Sequence, residues 1–154
     1  EMVNKFWRGV TNGGFVGHGE TYLTEKPVKW GYKSDAEMWW SKGGILRGKS
    51  QERIKFLKQI VESAPGYLTP VVTYEWWMPY SAVGYKDEYF LNYYNMDQPV
   101  SQIVKLPENS KYKAEIINGW DMTITAVEGE FSGNSIIQLP GKPFTAIRFT
   151  KINK

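Results

Sequence analysis

The spacing of apolar residues changes once along the chain, near residue 66. Before that point apolar residues recur about every four positions, as they do on one face of a helix. After it they form short runs rich in Val, Ile, Thr, Tyr and Phe, which are typical of strands. A chain of 154 residues is long enough for one domain, or for one domain and a remnant of another. The sequence therefore predicts a helical piece over residues 1–66 and a β domain over residues 67–154.

Two helices are predicted in the first part. The first carries apolar residues spaced by four, at Met2, Phe6 and Val10 and again at Val3 and Trp7. It should end at Asn12, because Asn and the glycines after it accept the left-handed conformation found at helix ends. The second should run from Ser50, a good N-cap, to about residue 63, and bury Ile54, Leu57 and Val61.

The second part is predicted to be an antiparallel β-sandwich. Strands are expected at 71–77, 88–94, 111–118, 122–127, 135–139 and 144–149. Several short strands separated by Pro, Gly, Asn and Asp indicate a sandwich or a barrel of antiparallel strands. Residues 118–123 are expected to form a turn with a packed Trp rather than a ligand site.

The segment between the two helices is rich in glycine and holds the only histidine of the chain. Phe15 and Val16 should form a short buried strand, and residues 17–34 a long loop, which in a compact domain is usually functional. A (β/α)8 barrel repeats this order of a helix, a short strand, a polar and aromatic loop and a second helix, and its active site lies in such loops. Because a complete barrel needs about 250 residues, we expect this chain to be the tail end of a larger enzyme.

The loop supplies the candidate site. His18 and Glu20 point to the same side if the backbone is extended. Such a pair can hydrogen-bond a sugar, hold a metal ion, move a proton or simply fix the loop. The chain also contains 7 Trp, 10 Tyr and 7 Phe, and flat rings can stack on the apolar faces of sugars. The predicted substrate-binding residues are His18, Glu20, Tyr22, Trp39 and Trp40.

Several classes of function lack support in the sequence. Without cysteine there can be no disulfide and no thiolate metal site. The net charge of +3 is spread along the chain and predicts no nucleic-acid groove, and no apolar run reaches transmembrane length. No P-loop, dinucleotide motif or nucleophile elbow is present. We expect no cofactor, no metal and no membrane partner, while the cellular compartment stays open.

Six strings of residues carry a resemblance to a known family. They are FWRG at 6–9, GGFVGHGETY at 13–22, WWSKGG at 39–44, YFLNYY at 89–94, WDMTI at 120–124 and LPGKPF at 139–144. In these the chain resembles the C-terminal portion of bacterial glycoside hydrolases that have an apiosidase-like TIM barrel followed by a β-sandwich. The resemblance covers nearly the whole chain.

The resemblance implies where each part of the chain belongs. Residues 1–12 would be the seventh barrel helix, 14–18 the eighth strand and 50–63 the eighth helix, with the sandwich from about residue 68. The two catalytic carboxylates would lie upstream of Glu1, so this chain alone would hold no catalytic residue. The implied partners are a carbohydrate substrate and the remainder of the barrel. Left uncovered, the two helices should fold onto the sandwich or form a homodimer.

Two other functions remain open from the residues alone. The first is a free-standing carbohydrate-binding or scaffold module, in which Trp pairs form a stacking platform. The second is a small metal-dependent enzyme that uses His18 and Glu20.

Overall fold

The computed structural model describes residues 1–17, 48–74 and 80–153. The chain divides into two compact units, one of Glu1–Phe15 with Ser50–Lys154 and one of Val16–Lys49. The first unit holds the helices and strands described here. They are α1 (Met2–Thr11), α2 (Ser50–Glu62), β1 (Thr69–Pro70), β2 (Ser81–Tyr85), β3 (Tyr89–Tyr93), β4 (Ser101–Lys105), β5 (Tyr112–Asn118), β6 (Thr123–Phe131), β7 (Asn134–Gln138) and β8 (Thr145–Lys151).

The strands form two antiparallel sheets. The larger has six strands in the order β1-β2-β3-β8-β5-β6, and the smaller consists of β4 and β7. The last strand, β8, lies between β3 and β5 and pairs with both over nearly its whole length. This mainly β architecture, with two helices before it, confirms the fold class predicted from the sequence.

The central strand β3 is buried on both faces and separates two cores. Tyr89, Leu91 and Tyr93 point toward the helices, whereas Phe90 and the following Tyr94 point toward the small sheet. Alternation of this kind follows from the period of two in a strand. The six-stranded sheet is therefore the middle layer, with α1 and α2 on one face and β4 and β7 on the other.

The helix α1 is packed closely on the middle layer. Val3, Trp7 and Thr11 lie along its buried stripe, and the Trp7 ring stacks on Tyr93 with 5.1 Å between centroids. The Thr11 hydroxyl lies 2.6 Å from the hydroxyl of Ser81. Met2, Phe6 and Val10 are half-buried on the adjacent side of the helix. The fully buried residues of α1 therefore belong to the second predicted series, which begins at Val3, and not to the first, which begins at Met2.

None of the described helices is long and apolar enough to cross a membrane.

One short predicted strand is not formed. Residues 14–17 have no regular secondary structure, and the side chain of Phe15 is 93% exposed. A strand forms by hydrogen bonding to neighbours, and none of the described strands pairs with this segment. The prediction of a buried strand at Phe15 and Val16 is wrong for these described residues.

The remaining differences lie at β2, β4 and the segment before them. Residues 71–74 were expected in a strand, but there the backbone bonds go to two different sheets. The Val71 N–H donates to the carbonyl of Ala82 in β2, and the Thr73 carbonyl accepts from Lys105 in β4. The segment therefore crosses from one sheet to the other. The strands β1, β2 and β4 were not predicted, although β3, β5, β6, β7 and β8 were.

Candidate functional site

The predicted substrate-binding residues fall outside the part of the chain that the structure describes. This applies to His18, Glu20, Tyr22, Trp39 and Trp40, and to the Trp pair at 76 and 77. Their role stays a prediction. The structure does describe the two helices that precede and follow the candidate loop in sequence, and how the β domain holds them.

The first helix is fixed by both apolar and polar contacts with the sheet. The Tyr93 hydroxyl donates a hydrogen bond of 2.8 Å to Oδ1 of Asn4, while its ring stacks on Trp7. The side chain of Trp7 is completely buried. Gly119 makes this possible, because a Cβ there would lie only 2.6 Å from Nε1 of Trp7.

The second helix is fixed at both of its ends. Near its start, the guanidinium carbon of Arg53 lies 4.1 Å from the ring centre of Trp120. Just after its end, the Ser63 hydroxyl accepts a bond of 3.2 Å from Nη1 of Arg148. The guanidinium of Arg148 is in turn held by Oε2 of Glu115, at 2.7 Å from Nε and 2.6 Å from Nη2. Both ends of α2 are thus tied to the β domain by cationic side chains.

A first cleft, of about 380 Å³, surrounds this Arg148 cluster. It is lined by Ser63, Pro65, Glu88, Tyr89, Glu115, Arg148, Thr150, Lys151 and Asn153. Burial raises the pKa of the Tyr89 hydroxyl, and the charge of Arg148 offsets part of that rise. The hydroxyl does not reach solvent, and the central charges are already paired with each other. The cleft therefore lies along the seam between the end of α2 and the sheet, and its central charges belong to the Arg148–Glu115 pair that fastens the two.

A second cleft lies at the turn between β5 and β6. Oδ1 of Asn118 accepts hydrogen bonds from the backbone N–H groups of Trp120 at 2.9 Å and of Asp121 at 2.8 Å. The N–H of Gly119 donates to the carbonyl of Phe144 at 2.9 Å. These bonds fix the backbone of the turn, as the sequence predicted for a turn with a packed Trp.

The indole of Trp120 is packed but not covered. Its ring stacks on Phe144 with 5.2 Å between centroids, and Arg53 lies over it, yet 40% of the residue is exposed. The cleft beside it has a volume of about 220 Å³ and is lined by Asn118, Trp120, Asp121, Lys142, Pro143 and Phe144. The part of the indole that Arg53 and Phe144 leave uncovered lies next to a carboxylate and an ammonium group, so the cleft offers apolar contact as well as hydrogen-bonding groups. Its exposure and its contact with Arg53 could not be read from the sequence, because they depend on α2.

Within the described residues, no group of three or more His, Cys, Asp or Glu side chains is placed to hold a metal ion. The metal-dependent alternative concerned His18 and Glu20, which lie outside those residues. It therefore stays open.

Comparison with protein families gives a match over part of the chain. Residues 76–150 match the sequence model of a domain of unknown function, DUF5605, which covers slightly less than half of the chain. Among curated proteins, the comparison finds no match.

Solved structures show the same fold over most of the chain. A protein of Bacteroides vulgatus ATCC 8482 described as a "putative glycoside hydrolase" has a TM-score of 0.74 and 24% identity, over 98% of this chain and 32% of that one. A glycoside hydrolase family 5 protein of the same strain has a TM-score of 0.54 and 17% identity, over 79% of this chain and 29% of that one. The chain therefore has a fold found in proteins named glycoside hydrolases, and it spans about a third of their length.

Proposed function

We propose that this chain is the C-terminal portion of a glycoside hydrolase that acts on a polysaccharide or an oligosaccharide. The observation that carries the proposal is the fold likeness to the Bacteroides vulgatus protein, which extends over 98% of this chain but only 32% of the other. A likeness of that extent includes both helices as well as the β domain. It is what one portion of a longer protein of this kind would give, and the placement of that portion at the C-terminus rests on the sequence resemblance.

In this proposal, residues 1–66 are the last elements of an apiosidase-like barrel and residues 67–154 are an accessory domain that packs on it. The contacts around Trp7 and Arg148 give the accessory domain a physical role, because they hold the helices on either side of the candidate loop. The half-buried residues Met2, Phe6 and Val10 would meet the rest of the barrel. A second copy of the chain is the alternative occupant of that surface, and light scattering distinguishes the two.

The chemistry would come from the rest of the barrel. Glycoside hydrolysis uses two carboxylates about 5 to 10 Å apart, one as an acid and the other as a nucleophile or base. We assign neither to this chain. Residues 14–17 form no strand in this chain, and the proposal takes them to pair as a barrel strand only with the other strands of the longer parent. His18, Glu20, Tyr22, Trp39 and Trp40 would then bind the sugar, because polar and aromatic side chains after a barrel strand face the substrate.

The test is made in the longer parent protein. His18→Ala, Glu20→Gln and Trp39→Ala should each lower kcat/KM on the best saccharide substrate without lowering the melting temperature. A loss of melting temperature with intact specific activity would return these residues to a structural role. Unchanged kinetics in all three variants would contradict the assignment.

A free-standing carbohydrate-binding module is the second candidate. The half-exposed Trp120 beside Asp121 and Lys142 favours it, because such a surface can bind sugars without a catalytic partner. Oligosaccharides titrated into the 154-residue chain separate the two functions. Saturable binding, with no hydrolysis by any longer protein that contains the chain, would favour the module.

A further inference from the structure

We propose that the turn Asn118–Met122, together with Lys142, forms a saccharide-binding subsite beside the catalytic end of the barrel. The inference rests on the proposed function, because it takes α2 to be the last helix of that barrel. It adds part of the β domain to a substrate surface that would otherwise consist of barrel loops alone.

The direction of α2 identifies which end of the barrel the turn would meet. In a (β/α)8 barrel the active site lies at the C-terminal ends of the strands, and each following helix begins near that face. The helix α2 begins at Ser50, and Arg53 in its first turn lies 4.1 Å from the ring centre of Trp120. The turn is therefore at the catalytic end of α2 and not at the opposite end.

The exposed groups of the turn suit a sugar. A sugar ring presents apolar C–H groups on its faces and hydroxyls at its edge, so an aromatic surface with a few polar side chains can bind it. Trp120 is 40% exposed and Met122 is 39% exposed. Asp121 and Lys142 are also exposed and line the same cleft. The carboxylate can accept hydrogen bonds from hydroxyls, and the ammonium group can donate them.

The size of the cleft limits what it can hold. Complete small-molecule sites usually enclose about 300–1,000 Å³, whereas this cleft has about 220 Å³. It fits one unit of a longer saccharide whose scissile bond lies elsewhere. We therefore expect the subsite to matter for oligosaccharides and polysaccharides and not for aryl monosaccharides.

The proposed subsite is held in place by contacts within the protein. Asn118 fixes the backbone of Trp120 and Asp121 by two hydrogen bonds, and Phe144 and Arg53 fix the indole. A pre-organised surface loses less conformational entropy on binding. Arg53 acts here as a positioning residue, because it orients the ring and leaves part of it exposed.

The test compares two exposed aromatic residues at opposite ends of α2 in the parent protein. Trp120→Ala removes the proposed subsite. Tyr67→Ala is the matched control, because Tyr67 is 67% exposed and follows the far end of the helix. Trp120→Ala should raise KM for an oligosaccharide about tenfold, which is about 1.4 kcal/mol of binding, and leave an aryl monosaccharide unaffected. Tyr67→Ala should change neither.

A second variant covers the case in which loss of the indole unfolds the turn. Lys142→Ala removes an exposed side chain of the cleft and keeps the backbone carbonyl that accepts a hydrogen bond from the Thr145 hydroxyl. It should raise the oligosaccharide KM about twofold to fivefold, which is about 0.4–1 kcal/mol, at an unchanged melting temperature.

The outcomes separate the subsite from the proposed function. If the parent hydrolyses saccharides and Trp120→Ala and Lys142→Ala behave like Tyr67→Ala, the subsite is overturned and the function stands. If the parent hydrolyses nothing, but oligosaccharides shift the Trp120 indole N–H signal in NMR spectra, the function is overturned and the binding surface stands. If neither hydrolysis nor a shift is seen, both are overturned.

Discussion

At the scale of single residues, the contact between Gly119 and Trp7 allows α1 to lie against the turn of the β domain. An added Cβ at Gly119 would lie 2.6 Å from Nε1 and 2.8 Å from Cε2 of Trp7. Gly119→Ala should therefore displace the buried indole and lower the free energy of unfolding by about 1–3 kcal/mol, as overpacking does. Gly17→Ala is the control, because no atom of the described residues beyond its chain neighbours lies within 4 Å of its added Cβ. Equal stability of the two variants in urea would contradict this packing.

The Arg148–Glu115 pair gives a second prediction at this scale. Its side chains are only 15% and 34% exposed, whereas those of the Lys111–Glu130 pair are 68% and 51% exposed. Glu115→Gln leaves a partly buried guanidinium without its carboxylate and should cost about 1–3 kcal/mol. Glu130→Gln should cost less than about 1 kcal/mol, because exposed pairs contribute little. Urea unfolding measures both, and similar losses would mean that Arg148 does not fasten α2.

The buried hydroxyl of Tyr94 gives a prediction about the stability of the chain at alkaline pH. Burial raises the pKa of its hydroxyl well above the ordinary 10.0, and Asn92 offsets part of the rise. Above pH 10 the unfolded chain loses this proton while the folded chain keeps it, so the free energy of unfolding falls as pH rises. Below pH 10 both the folded and the unfolded chain keep the Tyr94 proton, so no stability is lost there through this group.

Tyr94→Phe should reduce that alkaline loss by about 1.4 kcal/mol per pH unit. It should leave stability at pH 7 equal or higher, because Asn92 is near enough to lower the pKa of the buried hydroxyl, but no described residue forms a well-aligned hydrogen bond with it. Urea unfolding across the alkaline range measures the slope, with the exposed Tyr67→Phe as control. A lower stability of Tyr94→Phe at pH 7 would contradict the prediction.

At the scale of helices and strands, the sequence predicted the elements whose own residues form a recognisable pattern of apolar positions. The helix α2 was expected over 50–63 and runs over Ser50–Glu62, and β3 was expected over 88–94 and runs over Tyr89–Tyr93. The strand β2 was missed because it contains small residues, such as Ala82 and Gly84, that allow close packing. Its sheet partner β3 follows directly in sequence, but one face of β2 is buried by α1, which is distant in sequence, and no local pattern reveals that contact.

The candidate site was predictable to a smaller degree. The sequence indicated a turn at 118–123, and that turn is present. It did not indicate that Arg53 lies over Trp120, because the two are far apart in the chain and meet only through the packing of α2. The assignment of His18 and Glu20 concerns residues outside the described part and is still a prediction.

Removal of the two helices gives a prediction about the core that they share with the sheet. A shortened chain that begins at Tyr67 would expose the helix-facing side of the sheet, including Val83, Leu91, Tyr93 and Ile117, which are all completely buried. Each large side chain exposed forfeits about 1.5–3 kcal/mol, and a whole domain is stable by only about 5–15 kcal/mol. The shortened chain should aggregate or lose cooperative unfolding, as light scattering and circular dichroism would show. A soluble monomer that melts at the same temperature as the intact chain would contradict the shared core.

At the scale of the whole molecule, one buried core connects the two helices to the β domain. Both helices share their core with the six-stranded sheet, so the β domain and α1 and α2 should open as one cooperative unit. In a parent glycoside hydrolase, that coupling would keep the end of the barrel in place. The β domain would then act as a support for the site and, through Trp120, as part of it.

The most direct test of this account compares the 154-residue chain with its longer parent on one panel of oligosaccharides and aryl glycosides. The parent should hydrolyse at least one substrate, because it would supply the two carboxylates that the reaction needs. The chain alone should fold and release no product. Hydrolysis by the chain alone that disappears in Glu20→Gln would make Glu20 catalytic and contradict the account, and so would a folded parent that hydrolyses nothing.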